Sequence, residues 1–210
     1  MLTIFGANGK SGRALITRLR QNGFSDGLTA VLRRPEQAAD PFYAQHHTQT
    51  LTADALDPQA VLEAVRRTQP DTIVSFVGGK NEAGQRSDAA GNANIIEAAR
   101  TAAPAARFLL VTSMGCGEQY EGTSAMFKQA LGEAVLAKTE AENHLRQSGL
   151  PWVILRPCGL GQDAGGSYTL HRQIDEIPRD YMDRNGLAAA IAALIAAEQW
   201  PSETVYSVTA

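Results

Sequence analysis

The sequence contains little that would suit a secreted, membrane-bound or nucleic-acid-binding protein. Only two of its 210 residues are cysteine, Cys116 and Cys158, and they lack CxxC spacing, which favours a reducing compartment. The longest uncharged apolar run, residues 187–197, is well short of the roughly 20 residues that a membrane-spanning helix needs. Lysine and arginine (19) do not outnumber aspartate and glutamate (22). We therefore predict a cytoplasmic protein, with neither nucleic acid nor a membrane as partner.

Short, continuous apolar runs alternate with helical patterns along the chain. Strands are predicted at 2–5, 28–32, 72–77, 107–112 and 152–155, with weaker candidates at 48–52 and 204–208. Continuous runs are typical of strands buried on both faces of a parallel sheet. Helices are predicted at 11–22, 58–67, 88–101, 124–147 and 184–198. The alternation predicts an α/β fold, a doubly wound, mostly parallel sheet flanked by helices, as one domain over residues 1–210.

Two stretches, 114–123 and 159–181, do not fit this alternation. Both follow the carboxyl ends of predicted strands, where ligands bind in such sheets. We therefore expect them to form pocket walls or a small C-terminal lid. Gly161, Gly165 and Gly166 would allow a mobile lid, or simply a loose loop.

The first predicted strand leads directly into a glycine-rich turn, GANGKSG at 6–12, and then into a helical pattern. This leaves no room for a signal peptide ahead of it. Glycines in such a turn let backbone amides approach a pyrophosphate, and the helix N-terminus adds partial positive charge. The spacing is GxxGxxG rather than GxGxxG, and a purely structural turn is the alternative. The residues predicted to contact the pyrophosphate are Gly6, Asn8, Gly9, Lys10, Ser11 and Gly12.

The second predicted strand ends in Arg33 and Arg34, where a NAD site usually has an acidic residue. A charge-assisted contact to a 2′-phosphate contributes roughly 1.5–3 kcal/mol, which favours NADP(H), with two solvated arginines as the alternative. Asp54, after the third strand, is expected to contact adenine or to cap a helix. Gly78 and Gly79, after the fourth, would bring the chain close to the cofactor or form a plain turn.

Taken together, these segments resemble the atypical short-chain dehydrogenase/reductases, which include biliverdin-IXβ/flavin reductases and nitrogen-metabolite-repression type regulators. The resemblance covers nearly the whole chain and adds to the residues above DAAGNANIIEAA at 88–99, FLLVTSMG at 108–115, KTEAE at 138–142, SGLPWVILRP at 148–157 and RNGLA at 184–188. It implies a Rossmann fold with residues 6–12 on the pyrophosphate and Arg33 on the 2′-phosphate. It also implies that Ser113 lies beside the nicotinamide, Lys138 on its ribose, and Arg156 and Pro157 at the rim of the nicotinamide pocket.

Two departures from the family pattern bear on chemistry. Catalytic members of the wider superfamily have a tyrosine four residues before the lysine, where this chain has Ala134. Relatives commonly have glycine where this chain has Cys158. Tyr120 and Tyr168 lie in the two irregular stretches, where each could supply the missing phenol or serve as a lid aromatic.

Lys138 is predicted to lie on a buried helix stripe formed by Phe127, Leu131, Val135, Lys138, Glu142 and Leu145. A buried, unpaired ammonium is costly, so a partner or ligand is expected. The alternatives are pairing with Glu142 or an extended side chain whose ammonium reaches solvent. Glu142 and Arg146, four residues apart, have the spacing of an ordinary surface pair.

The remaining candidates carry less chemistry. Ser113 would orient an acceptor or be a loop hydroxyl. Cys116 has no histidine near it in sequence and is interpreted as structural. The four histidines have no partners at metal-ligand spacing, so no metal is predicted.

These features predict an NADPH-dependent oxidoreductase that reduces a small, planar or conjugated acceptor such as a flavin, quinone or carbonyl. Lys138 would fix the cofactor ribose and Ser113 would orient the acceptor. The alternative is a non-catalytic NADP(H) sensor that acts through a protein partner, which Ala134 motivates. An epimerase of nucleotide sugars is disfavoured by the arginines and by the expected lack of a second domain. The acceptor and the oligomeric state stay open.

Overall fold

The fold is built around a sheet whose strands follow the apolar runs of the sequence. The computed structural model describes residues 1–161, 166–174 and 181–210. Both weaker strand candidates are confirmed. The strands are β1 (Leu2–Phe5), β2 (Leu28–Leu32), β3 (Gln49–Thr52), β4 (Thr72–Ser75), β5 (Arg107–Val111), β6 (Trp152–Pro157), β7 (Gly159–Gly161), β8 (Thr169–His171), β9 (Tyr181–Asp183) and β10 (Thr204–Thr209).

Helices follow the strands as the sequence predicts. They are α1 (Lys10–Gln21), α2 (Pro41–Gln45), α3 (Pro58–Thr68), α4 (Ala90–Ala102), α5 (Ala125–Arg146) and α6 (Arg184–Ala196), with 3-10 turns at Pro35–Ala39 and Gly117–Gln119. Asp57, Ser124 and Asp183 cap α3, α5 and α6 by accepting hydrogen bonds from first-turn amides. Within the described ranges, no helix is both long and apolar enough to cross a membrane.

The strand order places a crevice beside the first strand. In the described part of the chain, eight strands form one sheet in the order β3-β2-β1-β4-β5-β6-β10-β8, and only the β10–β8 pair is antiparallel. β7 and β9 form a separate parallel pair. The chain runs outward from β1 through β2 and β3, then crosses to β4 on the other side of β1. In open α/β sheets, ligands bind at the carboxyl ends of the strands where the order switches in this way.

Helices cover both faces of the sheet, which explains why the apolar runs are continuous. Ile4 packs with Leu15 of α1 and Ile191 of α6 on one face. The next residue, Phe5, packs on the other face with Ile95 of α4 and the buried side chains of α3 and α5. Each fully buried aliphatic side chain contributes roughly 1.5–3 kcal/mol relative to exposure. The predicted doubly wound α/β architecture is confirmed.

Three details differ from the sequence prediction. The fourth strand ends at Ser75, before the predicted residue 77. The stretch 159–181, predicted to be irregular, contains β7, β8 and the first residue of β9, and the Gly165 prediction lies outside the described residues. Leu131, placed on the buried stripe, is 49% exposed. The buried positions of α5 begin only at Gly132, so its first two turns lie beyond the area that the sheet covers.

Candidate functional site

The glycine-rich turn joins the carboxyl end of β1 to the start of α1. Gly6 has a φ of +73°, and a Cβ atom there would lie 2.9 Å from the carbonyl carbon of Phe76. At Gly12 a Cβ atom would lie 2.6 Å from the Cα atom of Ala7. Gly6 is therefore required for the backbone conformation, and Gly12 for close packing of α1 against the turn.

The amino-terminal end of α1 is free of competing groups. Gly9 is the N-cap residue, so no side chain accepts a hydrogen bond from the first-turn amides, and the first turn has no acidic residue. Lys10 and Ser11 begin the helix, and first-turn N–H groups have no partner within a helix. These amides and the helix dipole favour an anionic group such as a diphosphate.

A cleft of about 290 Å³ opens beside this turn, at the carboxyl ends of β1, β2 and β4. It brings together six residues predicted to bind the cofactor, namely Gly6, Asn8, Gly9, Arg33, Asp54 and Gly78. Apolar side chains, among them Phe5, Val31 and Val77, form much of the remaining wall. An apolar cleft with a few polar groups is the usual character of a small-molecule site.

Two larger clefts lie elsewhere and hold none of these residues. One, of about 460 Å³, is lined by Met1 and the amino-terminal end of β3, and the other, of about 650 Å³, by Met1, Thr72 and Ala106. Both lie near the amino ends of the strands. Parallel sheets bind ligands at the opposite edge, so the smaller cleft is the stronger candidate.

The two arginines after β2 have different surroundings. Arg34 forms ion pairs with Glu36 at 3.1 Å and with Glu82 at 3.2 Å. Arg33 is exposed, lines the cleft, and has no hydrogen bond or ion pair with any residue that the structure describes. Only Arg33 therefore offers an uncommitted guanidinium to the cleft.

Asn8 is held in place by Arg13 and Tyr43, two residues that the sequence analysis did not identify. Its Oδ1 accepts hydrogen bonds from Nη2 of Arg13 at 2.7 Å and from the hydroxyl of Tyr43 at 3.0 Å. Arg13 also pairs with Asp40 and stacks over Phe42, its Cζ 4.7 Å from the ring centroid. The hydrogen bond from Arg13 lowers the pKa of Asp40. This cluster fixes the turn from its outer side.

Asp54 lies half-buried in the cleft wall, where its Oδ1 accepts a hydrogen bond from the backbone N–H of Leu56 at 3.0 Å. The bond explains how Asp54 stabilises the turn after β3. Its position in the cleft is compatible with the predicted contact to adenine.

Gly78 and Gly79 follow β4 and pass over a buried carboxylate. The backbone N–H of Gly79 donates to Oδ2 of Asp88 at 2.8 Å, and Lys138 Nζ lies 2.7 Å from Oδ1 of the same residue. Lys138 thus has the partner that the sequence called for, and that partner is Asp88 rather than Glu142. Burial alone would raise the pKa of Asp88, but Lys138, Gly79 and Arg86 together lower it.

Ser113 and Pro157 lie side by side at the ends of β5 and β6. The backbone N–H of Met114 donates to the carbonyl of Pro157 at 2.9 Å, and the Ser113 hydroxyl donates to the carbonyl of Met114. Ser113 is half-buried. The two residues are therefore neighbours at the strand ends beyond β4, and their contact with a nicotinamide stays a prediction.

Arg156 contributes no exposed side-chain atom to the site. Its guanidinium is 0% exposed and pairs with Glu142 at 2.6 Å and with Glu118 at 2.5 Å. Only its backbone and Pro157 remain to form the predicted rim. The interpretation of Glu142 and Arg146 as a surface pair is wrong, because Glu142 is itself fully buried and joins Arg156 to Arg146.

The other candidates are not drawn into the cleft. The hydroxyl of Tyr120 lies against Gly132 of α5, and Tyr168 packs on the core between the sheet and α1. Cys116 is buried, and burial together with the charge of Glu142 raises the pKa of its thiol to about 11, so it is a poor nucleophile. Across the described residues, no three His, Cys, Asp or Glu side chains are grouped as metal ligands.

Two buried polar residues behind the cleft also escaped the sequence prediction, Asp88 and Asn92. The amide of Asn92 accepts from the Ser75 hydroxyl at 2.6 Å and donates to the carbonyls of Val77 and Asp88. It thereby fixes the connection from β4 to α4. The signal was available, because Asp88 and Asn92 are four residues apart on the helix face that also carries Ile95 and Ile96.

Comparison with protein families identifies what this arrangement belongs to. Residues 6–198 match a family described as NAD(P)H-binding. The chain belongs to this NAD(P)H-binding family. The match confirms the resemblance to the atypical short-chain dehydrogenase/reductases and the Rossmann fold, and it indicates a nicotinamide cofactor.

Individual relatives agree with this placement. ChuY, described as an anaerobilin reductase from Escherichia coli O157:H7, is 32% identical with a TM-score of 0.83, covering 99% of this chain and 95% of ChuY. A short-chain dehydrogenase/reductase from Veillonella parvula, solved in complex with NADP, shares the fold at 19% identity and a TM-score of 0.79, over 100% of this chain and 94% of that one. The Bacillus subtilis protein YhfK, an uncharacterised sugar epimerase, is 26% identical over 195 residues, 90% of this chain and 85% of YhfK.

Proposed function

We propose that the protein is an NADPH-dependent reductase that transfers a hydride to a small, planar, conjugated acceptor. One observation carries the choice of coenzyme: the uncommitted guanidinium of Arg33 shares a cleft with the uncapped glycine turn. The turn suits the diphosphate common to both nicotinamide coenzymes. The guanidinium suits the 2′-phosphate that only NADP(H) carries.

The protein residues bind and orient, while the coenzyme, when bound, supplies the hydride from its nicotinamide ring. The turn from Gly6 to Gly12 holds the diphosphate and Arg33 the 2′-phosphate. Lys138 lies beside Gly78, which follows β4, and Ser113 follows β5, so both are on the other side of β1 from Arg33. Lys138 binds ribose hydroxyls, and Ser113 offers a hydroxyl that orients the acceptor.

The choice of acceptor class depends on the absence of a tyrosine at position 134. Ala134 provides no phenol to exchange a proton with a carbonyl or alcohol. A conjugated acceptor takes the hydride at a carbon or nitrogen atom of its π-system, spreads the electron pair over that system, and takes its proton from water. ChuY, at 32% identity, makes bilins the first acceptors to test, ahead of flavins, quinones and simple carbonyls.

The test is coenzyme oxidation by the purified protein, followed at 340 nm, with a panel of bilins, flavins, quinones and carbonyls. We expect NADPH oxidation above background with at least one conjugated acceptor, and slower oxidation of NADH. A panel on which no acceptor speeds NADPH oxidation would contradict a reductase.

A non-catalytic sensor is the second candidate, because Ala134 removes the usual proton donor. A sensor must bind NADP⁺ and NADPH with different affinities, since a ligand shifts an equilibrium only by differential binding. Calorimetric titration with each form separates the two proposals. Equal affinities, together with turnover on any acceptor, would exclude redox sensing.

A further inference from the structure

Asp88 lies at the centre of a polar network that joins three segments around the site. Its side chain is 1% exposed, and the residue lies two positions before the first residue of α4. Oδ2 accepts hydrogen bonds from the Gly79 amide at 2.8 Å and from Nη1 of Arg86 at 3.0 Å, which leaves Oδ1 to Lys138 Nζ at 2.7 Å. The carboxylate therefore ties the turn after β4 to helix α5.

The lysine end of this pair is accessible, although the carboxylate end is not. The side chain of Lys138 is 21% exposed. An ammonium has three N–H donors, and Asp88 takes one of them. No other residue that the structure describes pairs with Lys138, so two donors remain for oxygen atoms of a ligand.

Gly78 packs directly against this pair. A Cβ atom at Gly78 would lie 2.6 Å from Oδ1 of Asp88 and 2.9 Å from Nζ of Lys138. Any other residue would therefore cover or displace the ion pair. Gly78 itself lines the cleft, so the pair lies directly behind the cleft wall.

The strand order indicates which part of a dinucleotide reaches Lys138. Arg33 follows β2, the glycine turn follows β1, and Gly78 follows β4, on the other side of β1 from β2. A dinucleotide with its 2′-phosphate at Arg33 and its diphosphate at the turn extends its second ribose toward β4. The hydroxyls of that ribose suit the two free ammonium donors.

We propose that Asp88 is a positioning residue, which acts through Lys138 by holding the ammonium at the second ribose of the coenzyme. Ala134, one helical turn before Lys138, has no side-chain oxygen that could contact the ammonium. Asp88 supplies such an oxygen from the segment before α4. The proposal rests on the proposed function, because it needs a nicotinamide coenzyme in the cleft.

The neighbouring charges provide a matched control. Arg86, which shares Asp88, also pairs with Glu133 at 3.2 Å, and Lys80 pairs with Glu133 at 2.9 Å. Glu133 belongs to the same cluster but does not contact Lys138. Glu133→Gln therefore removes a nearby carboxylate without touching the proposed pair.

The experiment is a double-mutant cycle on coenzyme binding with the full chain. The dissociation constant for NADPH is measured for the wild-type protein, Asp88→Asn, Lys138→Met, the double variant and Glu133→Gln. Each single variant at the pair should weaken NADPH about tenfold, and the double variant no further, because both remove the same interaction. Glu133→Gln should stay within about twofold of wild type.

A second ligand distinguishes positioning from loss of structure. Adenosine 2′,5′-bisphosphate carries the 2′-phosphate but no second ribose. Asp88→Asn should bind it as the wild-type protein does, whereas a distorted cleft would weaken both ligands. Additive losses in the cycle, or equal losses for both ligands, would overturn the role of Asp88. If wild type binds neither ligand, the proposed function fails instead.

Discussion

The two halves of the site are built in different ways. On the β1–β3 side, the proposed binding groups are backbone amides of one short turn and an exposed guanidinium, that of Arg33. On the β5–β6 side, side chains far apart in the sequence are joined by ion pairs, in a cluster whose buried members are Glu142 and Arg156 and whose exposed end is Glu118. Local backbone shape therefore determines the proposed coenzyme half, and long-range ion pairs determine the proposed acceptor half.

The segment after β5 illustrates the second strategy. The Gly117 amide donates to Thr139 at 2.9 Å, and the Gln119 side chain donates to Ser207 at 2.8 Å. Glu118, between them, pairs with Arg156. Three contacts within three residues tie this segment to α5, β6 and β10, which argues against a lid.

The largest expected effect comes from breaking the buried cluster with Arg156→Met. The change leaves the carboxylate of Glu142 buried beside only Arg146 and Thr112, which should lower the free energy of unfolding by about 3–5 kcal/mol in urea denaturation. Arg146→Met is the control, because Arg146 pairs with the same carboxylate from a part-exposed position, and it should cost about 1 kcal/mol or less. Equal losses would contradict the special role of Arg156.

Gly12→Ala should instead weaken coenzyme binding at the glycine-rich turn. The added Cβ atom meets the backbone of Ala7, so α1 must move away from the turn, and NADPH affinity should fall by about 100-fold. Fluorescence titration measures the loss. Gly122→Ala, whose Cβ would lie 3.7 Å from the nearest atom, is the control and should bind normally. Normal binding by Gly12→Ala would show that the close packing is not needed.

Replacing each of the two arginines by alanine separately tests which of them contacts the 2′-phosphate. Arg33→Ala should reduce the preference for NADPH over NADH by about 10- to 100-fold, because one charge-assisted contact to the 2′-phosphate is lost. Arg34→Ala should change it by less than about threefold, since Arg34 is already paired with Glu36 and Glu82. The ratio of kcat/KM values for the two coenzymes provides the measurement. The reverse order would assign the phosphate to Arg34.

The smallest expected effect is that of Glu118→Gln, at the outer end of the buried cluster. The Glu118 side chain is 72% exposed, so its loss should cost less than about 1 kcal/mol at pH 7. Partial burial raises the pKa of Glu118, but the hydrogen bond from Arg156, a backbone hydrogen bond and the charges of Arg156 and Arg146 together lower it. A lowered pKa means that the stabilisation is present above the unfolded-state pKa and is lost as pH falls through the folded-state value.

Unfolding measured between pH 7 and pH 3 tests this prediction. The difference between wild type and Glu118→Gln should be constant at neutral pH and should shrink in acid. A difference that grows on acidification would contradict the assigned direction.

The parts of the candidate site that could be predicted from the sequence depend only on residues close to them in the chain. The glycine turn, Arg33 and Gly78 are recognisable because each follows a buried strand directly. Asp88 was not found, because its partner Lys138 is 50 residues away and the pairing exists only once α4 and α5 pack together. The burial of the Arg156 guanidinium was not predicted for the same reason, since a sequence pattern gives the position of a guanidinium on a strand but not the carboxylates that surround it.

Because β4 lies beside β1, the candidate coenzyme cleft is complete only when strands on both sides of β1 have assembled. Strands β1 and β2 supply its floor, but the wall that carries Gly78 arrives only after the chain has returned from β3 through α3. No contiguous fragment ending before β4 contains the complete cleft. During refolding with NADPH present, the fluorescence of bound coenzyme should therefore appear after the helical circular dichroism signal. It would report completion of the crossover from β3 to β4 rather than early collapse of the chain.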